Sequence, residues 1–481
     1  MPVRVAKVAH SREEKSSRPL RLLSSASLDT RLRGGSAGEP GQDQFRRLAY
    51  FDGRRHRPPV CVPAAATDEM TRVADDEAYF QRLRLLARQL APPERPATAG
   101  QSSRPFGASG WRGWLPQLGV AIEVEPPDEL RALALLMDPE QSRALLEAAI
   151  AEQSPRYRDL RIATCEPHVV RYSPDSRCTV VYRLGFDGVE GSPRGPELVV
   201  ARIYRTDHGR VAWDNMRAVW DSPLSRGDPV HVAEPLAFVR DLNVVIQGPL
   251  RVEQTLKQLM FETWRTRSPM ARARLHTALA LTADGLAALH GCGARAEVTV
   301  TWEDQLAQVR QWRDCLGNAI PALGTAAEPL LVELATSAAA CPADPVGPAH
   351  RSFRPAKVLL CGAEAAIIDF DGLSLAEPAL DVALFRATAR VIALGELTDD
   401  VDRPGDEGAL EHRADEVDAL CDSFLARYES RRPVSRERVA LYETLALLTV
   451  VLHCWTNVNP TRLRHGVRLL ERHVERRGQI G

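Results

Sequence analysis

Residues 350–383 read HRSFRPAKVLLCGAEAAIIDFDGLSLAEPALDVA and carry the most informative pattern in the chain. Two apolar runs within it, Lys357–Leu360 and Ala366–Phe370, are joined by Cys361-Gly362, a spacing that predicts a β-hairpin. A histidine, His350, precedes the hairpin, and an aspartate lies near its end. We therefore expect a short hairpin set between helices, with polar side chains at both of its ends.

The same stretch resembles the catalytic loop of the aminoglycoside and choline phosphotransferases. These enzymes, like protein kinases, carry H-G-D-x-x-x-x-N before a hairpin that ends in I-D-F or D-F-G. His350 stands at the histidine of that pattern, Ile368-Asp369-Phe370 at its metal-binding motif, and Glu377–Ala383 is similar to the D-P-A-x-D-L-A that follows. The resemblance implies an α+β, bilobal protein kinase-like fold, with a small antiparallel sheet in the N-lobe and a mostly helical C-lobe. It also implies ATP as cofactor, with Mg²⁺ held by Asp369.

Three positions of the loop depart from this pattern. Ser352 stands where the resemblance implies the catalytic aspartate, Lys357 where it implies the magnesium-holding asparagine, and Arg351 replaces the glycine. A serine hydroxyl is not a useful base near pH 7, and a protonated lysine has no lone pair for a metal. Lys357 therefore either forms a structural ion pair with Asp369 or contacts a phosphate of the nucleotide.

Three further side chains around the hairpin are candidates for supporting roles. Asp371 is a surrogate for the missing carboxylate, although a local cap on the Gly372 turn is the favoured interpretation. Asp381 is expected to brace the loop around His350. His350 itself is expected to pack against the hairpin as a structural residue.

Upstream positions are candidates for nucleotide binding. Val199–Arg202 resembles the V-A-I-K of the third kinase strand, so that Arg202 takes the place of the lysine that pairs the phosphates. Asp214, on the helix that follows, is the best acidic partner available, and Asp221 is the second choice. Gln247 stands where the resemblance implies a hinge whose backbone hydrogen-bonds an adenine. The alternative for Arg202 is a surface arginine one position out of register with the motif. The alternative for Gln247 is an ordinary strand-to-helix turn.

The first part of the 481-residue chain differs in composition from the rest. Residues 1–66 are rich in Arg, Ser, Gly and Pro and lack a hydrophobic period, which predicts a disordered basic tail. This tail is absent from the native protein if translation starts at Met70. Residues 67–110 predict a helix followed by a linker.

The remaining residues divide into two predicted lobes. Residues 111–248 predict an N-lobe of helices and a five-stranded sheet, with three strands, one helix and two strands in order. Residues 249–481 predict a helical C-lobe that contains the catalytic-loop hairpin at 350–371.

Overall composition limits the classes of partner. A net charge of −1 gives no argument for a nucleic acid, and no apolar run is long enough to predict a membrane span. The nine cysteines lack zinc spacing, and the N-terminus lacks a secretion signal, which favours a reducing cytoplasm. The abundance of Ala, Arg and Pro is typical of a GC-rich bacterial genome.

Three functional hypotheses stay open on the sequence. The favoured one is a degenerate, pseudokinase-type protein that binds a nucleotide or another ligand and acts through a protein partner. The second is an active ATP-dependent phosphotransferase acting on a small-molecule hydroxyl, with its acceptor pocket among helices at 301–339 and beyond 383. The third is a helical interaction scaffold without a nucleotide site. Its interaction surface would be the helices from Ala409 to Arg477, although the basic run that ends them is more commonly a solvated helix face. The arginines of this run are Arg462, Arg464, Arg468, Arg472, Arg476 and Arg477.

Overall fold

The computed structural model describes residues 2–7, 20–23, 111–115, 120–124, 132–173, 177–186, 195–204, 208–319, 321–395, 407–456 and 460–478. The predicted helix and linker at 67–110 lie outside the described residues, and so does most of the predicted tail at 1–66.

Two segments of the predicted disordered tail are strands, β1 (Pro2–Lys7) and β2 (Leu20–Leu23). They join β3 (Trp111–Leu115) and β4 (Val120–Val124) in an antiparallel sheet of order β2-β1-β4-β3. The prediction from composition did not weigh the alternation in Val3-Arg4-Val5, which has the period of a strand.

The chain divides into two compact units. The first contains the described residues up to Trp213, together with Pro235–Pro249. The second contains Asp214–Glu234 and the described residues from Leu250 onward.

The first unit contains a five-stranded antiparallel sheet of order β5-β6-β7-β9-β8. Its strands are β5 (Thr164–Ser173), β6 (Arg177–Gly185), β7 (Leu198–Tyr204), β8 (Pro235–Val239) and β9 (Val244–Gln247). Helix α3 (His208–Trp220) follows β7 in the chain, so the elements run in the predicted order of three strands, one helix and two strands.

Two helices cover this sheet. Helix α1 (Ala132–Met137) ends just before Asp138, whose carboxylate accepts a hydrogen bond from the Gln141 amide at 2.8 Å and caps α2 (Pro139–Gln153). Helix α2 packs on β5 and β8. Tyr182 of β6 is fully buried beneath the pair, and its hydroxyl donates to the Leu136 carbonyl at 2.9 Å. The sheet therefore has a closed apolar face of its own.

The second unit is mostly helical. Its helices after α3 are α4 (Leu256–Thr266), α5 (Pro269–Gly291), α6 (Trp302–Ala319), α7 (Pro321–Ala340), α8 (Pro378–Gly395), α9 (Glu407–Glu429), α10 (Arg436–Thr456) and α11 (Pro460–Gly478). Helix α8 is central, because it packs against α4, α9, α10 and α11 and buries most of its side chains.

Short strands between α7 and α8 carry the loop that the sequence singled out. Strand β11 (Gly347–Ala349) pairs with β14 (Ser374–Ala376), and β12 (Val358–Cys361) pairs with β13 (Glu364–Ile367). A two-residue strand, β10 (Gln254–Thr255), extends the second pair along β12.

Two element boundaries differ from those expected. The predicted strand at 231–238 begins only at Pro235. The backbone amide of His231 instead pairs with the hairpin and donates to the Ala365 carbonyl at 2.8 Å. The helix predicted from Val252 begins at Leu256, because Thr255 and Gln258 form a capping box.

None of the helices in the described ranges combines the length and apolar character needed to cross a bilayer.

Candidate functional site

The hairpin fixes the position of Lys357 relative to Asp369. A 3₁₀ turn, Pro355–Lys357, leads into β12, and the Ile368 amide donates to the Lys357 carbonyl at 3.1 Å. Val358 faces Ile367 in the β12–β13 register, and Gly362 makes the tight turn with a φ of 57°. Residues flanking the open end of the hairpin are therefore held side by side.

Lys357 and Asp369 form a buried ion pair. The Lys357 Nζ donates to Asp369 Oδ2, and only 6% of Lys357 and 4% of Asp369 are exposed. Asp369 has a φ of 74°, in the left-handed region that residues other than glycine rarely adopt. A buried carboxylate needs a compensating charge or several hydrogen bonds, and the lysine ammonium supplies that charge.

His350 is fixed on three sides. Its backbone amide donates to Asp381 Oδ2 at 2.5 Å, and its Nε2 lies 2.9 Å from the Ile368 carbonyl oxygen. The third contact joins its Nδ1 to the Ser352 hydroxyl at 3.2 Å. Burial holds the pKa of His350 below its usual range, against the opposing charge of Asp381. The ring is therefore neutral near pH 7.

Asp381 connects the loop to α5 and α9. It is fully buried and accepts a hydrogen bond from His290 Nε2 at 3.2 Å, while His290 Nδ1 lies 2.7 Å from the Tyr428 hydroxyl. Burial opposes ionisation of Asp381, but the hydrogen bond and charge from His290 outweigh it and hold its pKa below the usual range. Asp381 thus holds the loop backbone in the way that a bracing residue would.

Asp371 lies in the 3₁₀ turn Phe370–Gly372 and is half-buried. Its carbonyl oxygen accepts a hydrogen bond from the Asn215 side chain of α3 at 3.2 Å. Asp214, the neighbour of Asn215, is exposed on the same helix. The Asn215 contact fixes the backbone that follows Asp369.

Two candidate residues belong to the first unit. Arg202 lies on β7 opposite Thr179 of β6 and Val245 of β9, and it is half-buried. Gln247 ends β9 opposite Val200 and is buried. Their roles in nucleotide binding stay predictions.

The residues present do not fit a magnesium site. Mg²⁺ takes oxygen ligands in octahedral geometry, but Lys357, which has no lone pair while protonated, stands where the resemblance implies the magnesium-holding asparagine. The remaining ligand, Asp369, is already paired with an ammonium. In the part of the chain that the structure describes, no three His, Cys, Asp or Glu side chains converge as a metal-binding set.

Comparison with known proteins gives solved structures only, since neither a known family model nor a curated protein matches the sequence. A glucosamine kinase in complex with glucosamine, ADP and inorganic phosphate is 16% identical, with a TM-score of 0.49 over 70% of this chain and 86% of that one. A choline kinase from Cryptosporidium parvum is 12% identical, with a TM-score of 0.45 over 70% of this chain and 96% of that one.

A third similar structure is an aminoglycoside phosphotransferase in ternary complex with ADP and hygromycin B. It is 13% identical, with a TM-score of 0.43 over 66% of this chain and 95% of that one. The predicted fold class, a small antiparallel sheet with a mostly helical second part, is confirmed. The order of the elements and the pairing of the hairpin carry that assignment.

Three residues that support the kinase-like loop were missed on the sequence: Asn215, His290 and Tyr428. Their partners lie far along the chain, since His290 is 91 residues from Asp381 and 138 from Tyr428. A helical histidine and tyrosine carry no local signal of a tertiary contact. Asn215 is next to Asp214, for which a role in nucleotide binding was predicted, and no other feature of the sequence pointed to Asn215.

Three arginines of the C-terminal basic run, Arg472, Arg476 and Arg477, are paired with carboxylates of the protein itself. Arg472 donates to Asp418 at 3.0 Å and to Glu411 at 2.8 Å. Arg476 pairs with Asp418, and Arg477 pairs with Glu333 of α7. Helix α9 presents an acidic face at helical spacing, and this face takes up the charge that the sequence alone assigned to a partner.

An open groove of about 990 Å³ lies between α6 and α7, within the range where the acceptor pocket was expected. Three carboxylates on its walls are already paired. Arg313 pairs with Asp314 and Glu328, and Arg477 pairs with Glu333. Because these carboxylates are engaged by arginines of the protein, the groove does not by itself indicate the class of a ligand.

Proposed function

We propose that this chain is an aminoglycoside phosphotransferase-like, kinase-fold protein of the pseudokinase type, which binds a nucleotide without turning it over. The observation that carries the proposal is the buried Lys357–Asp369 ion pair. An ammonium group stands where the resemblance implies a magnesium ion, so the charge that a metal would supply belongs to the protein.

The loop sequence supports the same interpretation. Relative to H-G-D-x-x-x-x-N, the changes to Arg351, Ser352 and Lys357 each make the loop more positive by one formal charge. Phosphoryl transfer depends on positioning and on metal ions that bridge the β- and γ-phosphates. A loop that lacks one metal ligand and the base, but has gained cations, is suited to holding an anion rather than to transferring one.

ATP or ADP is the proposed ligand. The similar glucosamine kinase and aminoglycoside phosphotransferase structures each contain ADP. We assign a phosphate contact to Lys357, following its motif position, and Asp369 would hold Lys357 in place. We propose that a cytoplasmic protein partner binds the chain when the nucleotide is bound.

A thermal-shift titration of the full chain tests this proposal. ATP, ADP and GTP would each be titrated once in EDTA and once in Mg²⁺. A ligand at 100 times its Kd stabilises the folded state by about 2.7 kcal/mol. We expect a nucleotide to raise the melting temperature equally in EDTA and in Mg²⁺. The variant Lys357→Asn restores the asparagine of the motif, and we expect its nucleotide binding to become dependent on Mg²⁺.

The other two hypotheses make different predictions in the same experiment. An active phosphotransferase would require Mg²⁺ for the shift and would consume ATP, and Asp369→Asn would abolish that consumption. In that case Asp371 would orient the acceptor hydroxyl. A scaffold without a nucleotide site would show no shift with any nucleotide in either condition.

A further inference from the structure

Ser352 and His350 have a geometry that the proposed nucleotide binding does not use. The carbonyl oxygen of Ile368 can only accept a hydrogen bond, so the His350 Nε2 at 2.9 Å must carry the proton. A neutral imidazole then has its lone pair on Nδ1, and this atom lies 3.2 Å from the Ser352 hydroxyl. Ser352 is therefore the donor in that hydrogen bond, with its oxygen lone pairs available.

The orientation of the His350 imidazole ring is fixed by its surroundings. His350 is fully buried, with the rings of Phe353 and Phe370 centred 5.7 Å and 5.3 Å from its own. The His350 backbone amide donates a hydrogen bond to Asp381, and the ring Nε2 donates one to the Ile368 carbonyl. A nucleophile within hydrogen-bond reach of a base, which a third group orients, is the arrangement of nucleophilic catalysis.

Ser352 is also accessible and has two arginines close to it in sequence. It is half-buried, whereas His350 behind it is fully buried, so a reagent meets the hydroxyl first. Arg351 precedes it, and Arg354 follows two residues later. Arginines favour phosphate oxygens over neutral electrophiles because they bind them through charge-assisted hydrogen bonds.

We propose that Ser352 is a nucleophile, with His350 as its base, and that it accepts a phosphoryl group from an activated phosphorus electrophile other than the nucleotide proposed above. The Ser352 oxygen forms a new bond to phosphorus as the bond from phosphorus to the leaving group breaks. The leaving group departs with the electron pair. The Ser352 proton passes to His350 Nδ1 and is then lost to the leaving group or to solvent.

The step consumes one serine per chain and regenerates the neutral imidazole. It requires neither a metal ion nor the nucleotide site proposed above. Reaction with a phosphorus reagent therefore tests it independently of nucleotide binding.

An alkyl fluorophosphonate tests the pair directly. It would be incubated with the full chain, the intact mass followed in time, and the modified peptide mapped. We expect one phosphonyl group per chain on Ser352 and none after Ser352→Ala. Ser225 is the matched control, because it is also half-buried but its hydroxyl donates to the Ser222 carbonyl, at 3.0 Å, rather than to a base.

The variant His350→Gln tests the role of the base. A general base contributes about 100-fold or more to a reaction rate, so labelling of Ser352 should slow by at least about 100-fold. If that variant fails to fold, Ser352→Cys replaces it, and its new thiol should alkylate faster than the half-buried Cys361 of the hairpin. The proposal would be overturned if Ser352 stayed unlabelled or if only other residues were labelled. It would also be overturned by an unchanged labelling rate in folded His350→Gln, or by a thiol in Ser352→Cys that alkylates no faster than Cys361.

Discussion

Charges are buried in two regions of the second unit, and the two regions neutralise them differently. In the helical bundle, Glu443 of α10 accepts from Arg386 at 2.8 Å and also pairs with Arg390, and all three residues are buried. At the hairpin, the Lys357 ammonium meets Asp369, whose backbone is left-handed. The bundle uses planar guanidinium groups with several hydrogen bonds each, and the hairpin uses a compact point charge.

The difference shows which pair is structural and which marks a site. The Arg386 guanidinium also donates to the Cys421 carbonyl at 2.7 Å and to Asp422 at 3.1 Å, so its geometry ties α8, α9 and α10 together. The bundle network therefore serves packing. The hairpin lysine instead has the functional role proposed above, in which a single positive charge on the protein takes the place of a divalent ion.

The largest effect on stability is expected in the bundle. Glu443→Gln leaves Arg386 and Arg390 buried without their shared carboxylate, so the free energy of unfolding should fall by about 3–5 kcal/mol in urea denaturation. Glu411→Gln is the control, because this exposed glutamate pairs with Arg472 near the surface and should contribute about 1 kcal/mol or less. Equal effects in the two variants would contradict the assignment of a structural network.

A somewhat smaller effect is expected at the hairpin. Lys357→Met removes the ammonium that pairs with the buried Asp369 and should lower the free energy of unfolding by about 3 kcal/mol. Adding Asp369→Asn to that variant should recover much of the loss, since the buried charge is then removed. A double-mutant cycle measures the coupling, and additive single effects would show that the two side chains are not a pair.

The pH dependence of stability should distinguish the regions again. Burial, with help from the charges of Arg390 and Arg386, lowers the pKa of His473 to about 4, and its ring lies 3.0 Å from the Ala440 carbonyl. Because the unfolded chain takes up a proton at about pH 6.5, this stability is complete above that pH and is lost as pH falls towards 4. His473→Gln should remove this slope from a denaturation series over pH 4–7.

Histidine 412 provides the control for that series. His412 is exposed on α9, so His412→Gln replaces a histidine without removing a buried ring, and the slope attributed to His473 should persist in this variant. An equal loss of slope in both variants would mean that burial is not its cause.

The smallest effect concerns the contact from α3 to the hairpin. Asn215→Ala removes the hydrogen bond to the Asp371 carbonyl at 3.2 Å, which should cost about 1 kcal/mol of stability. Hydrogen exchange of the Phe370–Gly372 turn should rise in the same variant. Unchanged exchange there would show that α3 does not hold the turn.

The sequence predicted local features of the kinase-like fold far better than distant contacts. The hairpin, its turn at Gly362 and the approach of Lys357 to Asp369 follow from residues within one short stretch. The contact between Asn215 and Asp371 spans 156 residues and depends on how helices pack, which no local period encodes. For the same reason the acidic face of α9, opposite the C-terminal arginines, could not be assigned a partner from sequence.

The most direct test of the central claim, that Lys357 supplies the charge of a metal ion, is calorimetric titration of the full chain with ATP. The titration would be run in EDTA and in Mg²⁺, for the wild-type chain and for Lys357→Asn. We predict the same Kd for the wild-type chain in both conditions, and tighter binding with Mg²⁺ only in the variant. Wild-type binding that is absent in EDTA and restored by Mg²⁺ would contradict the account.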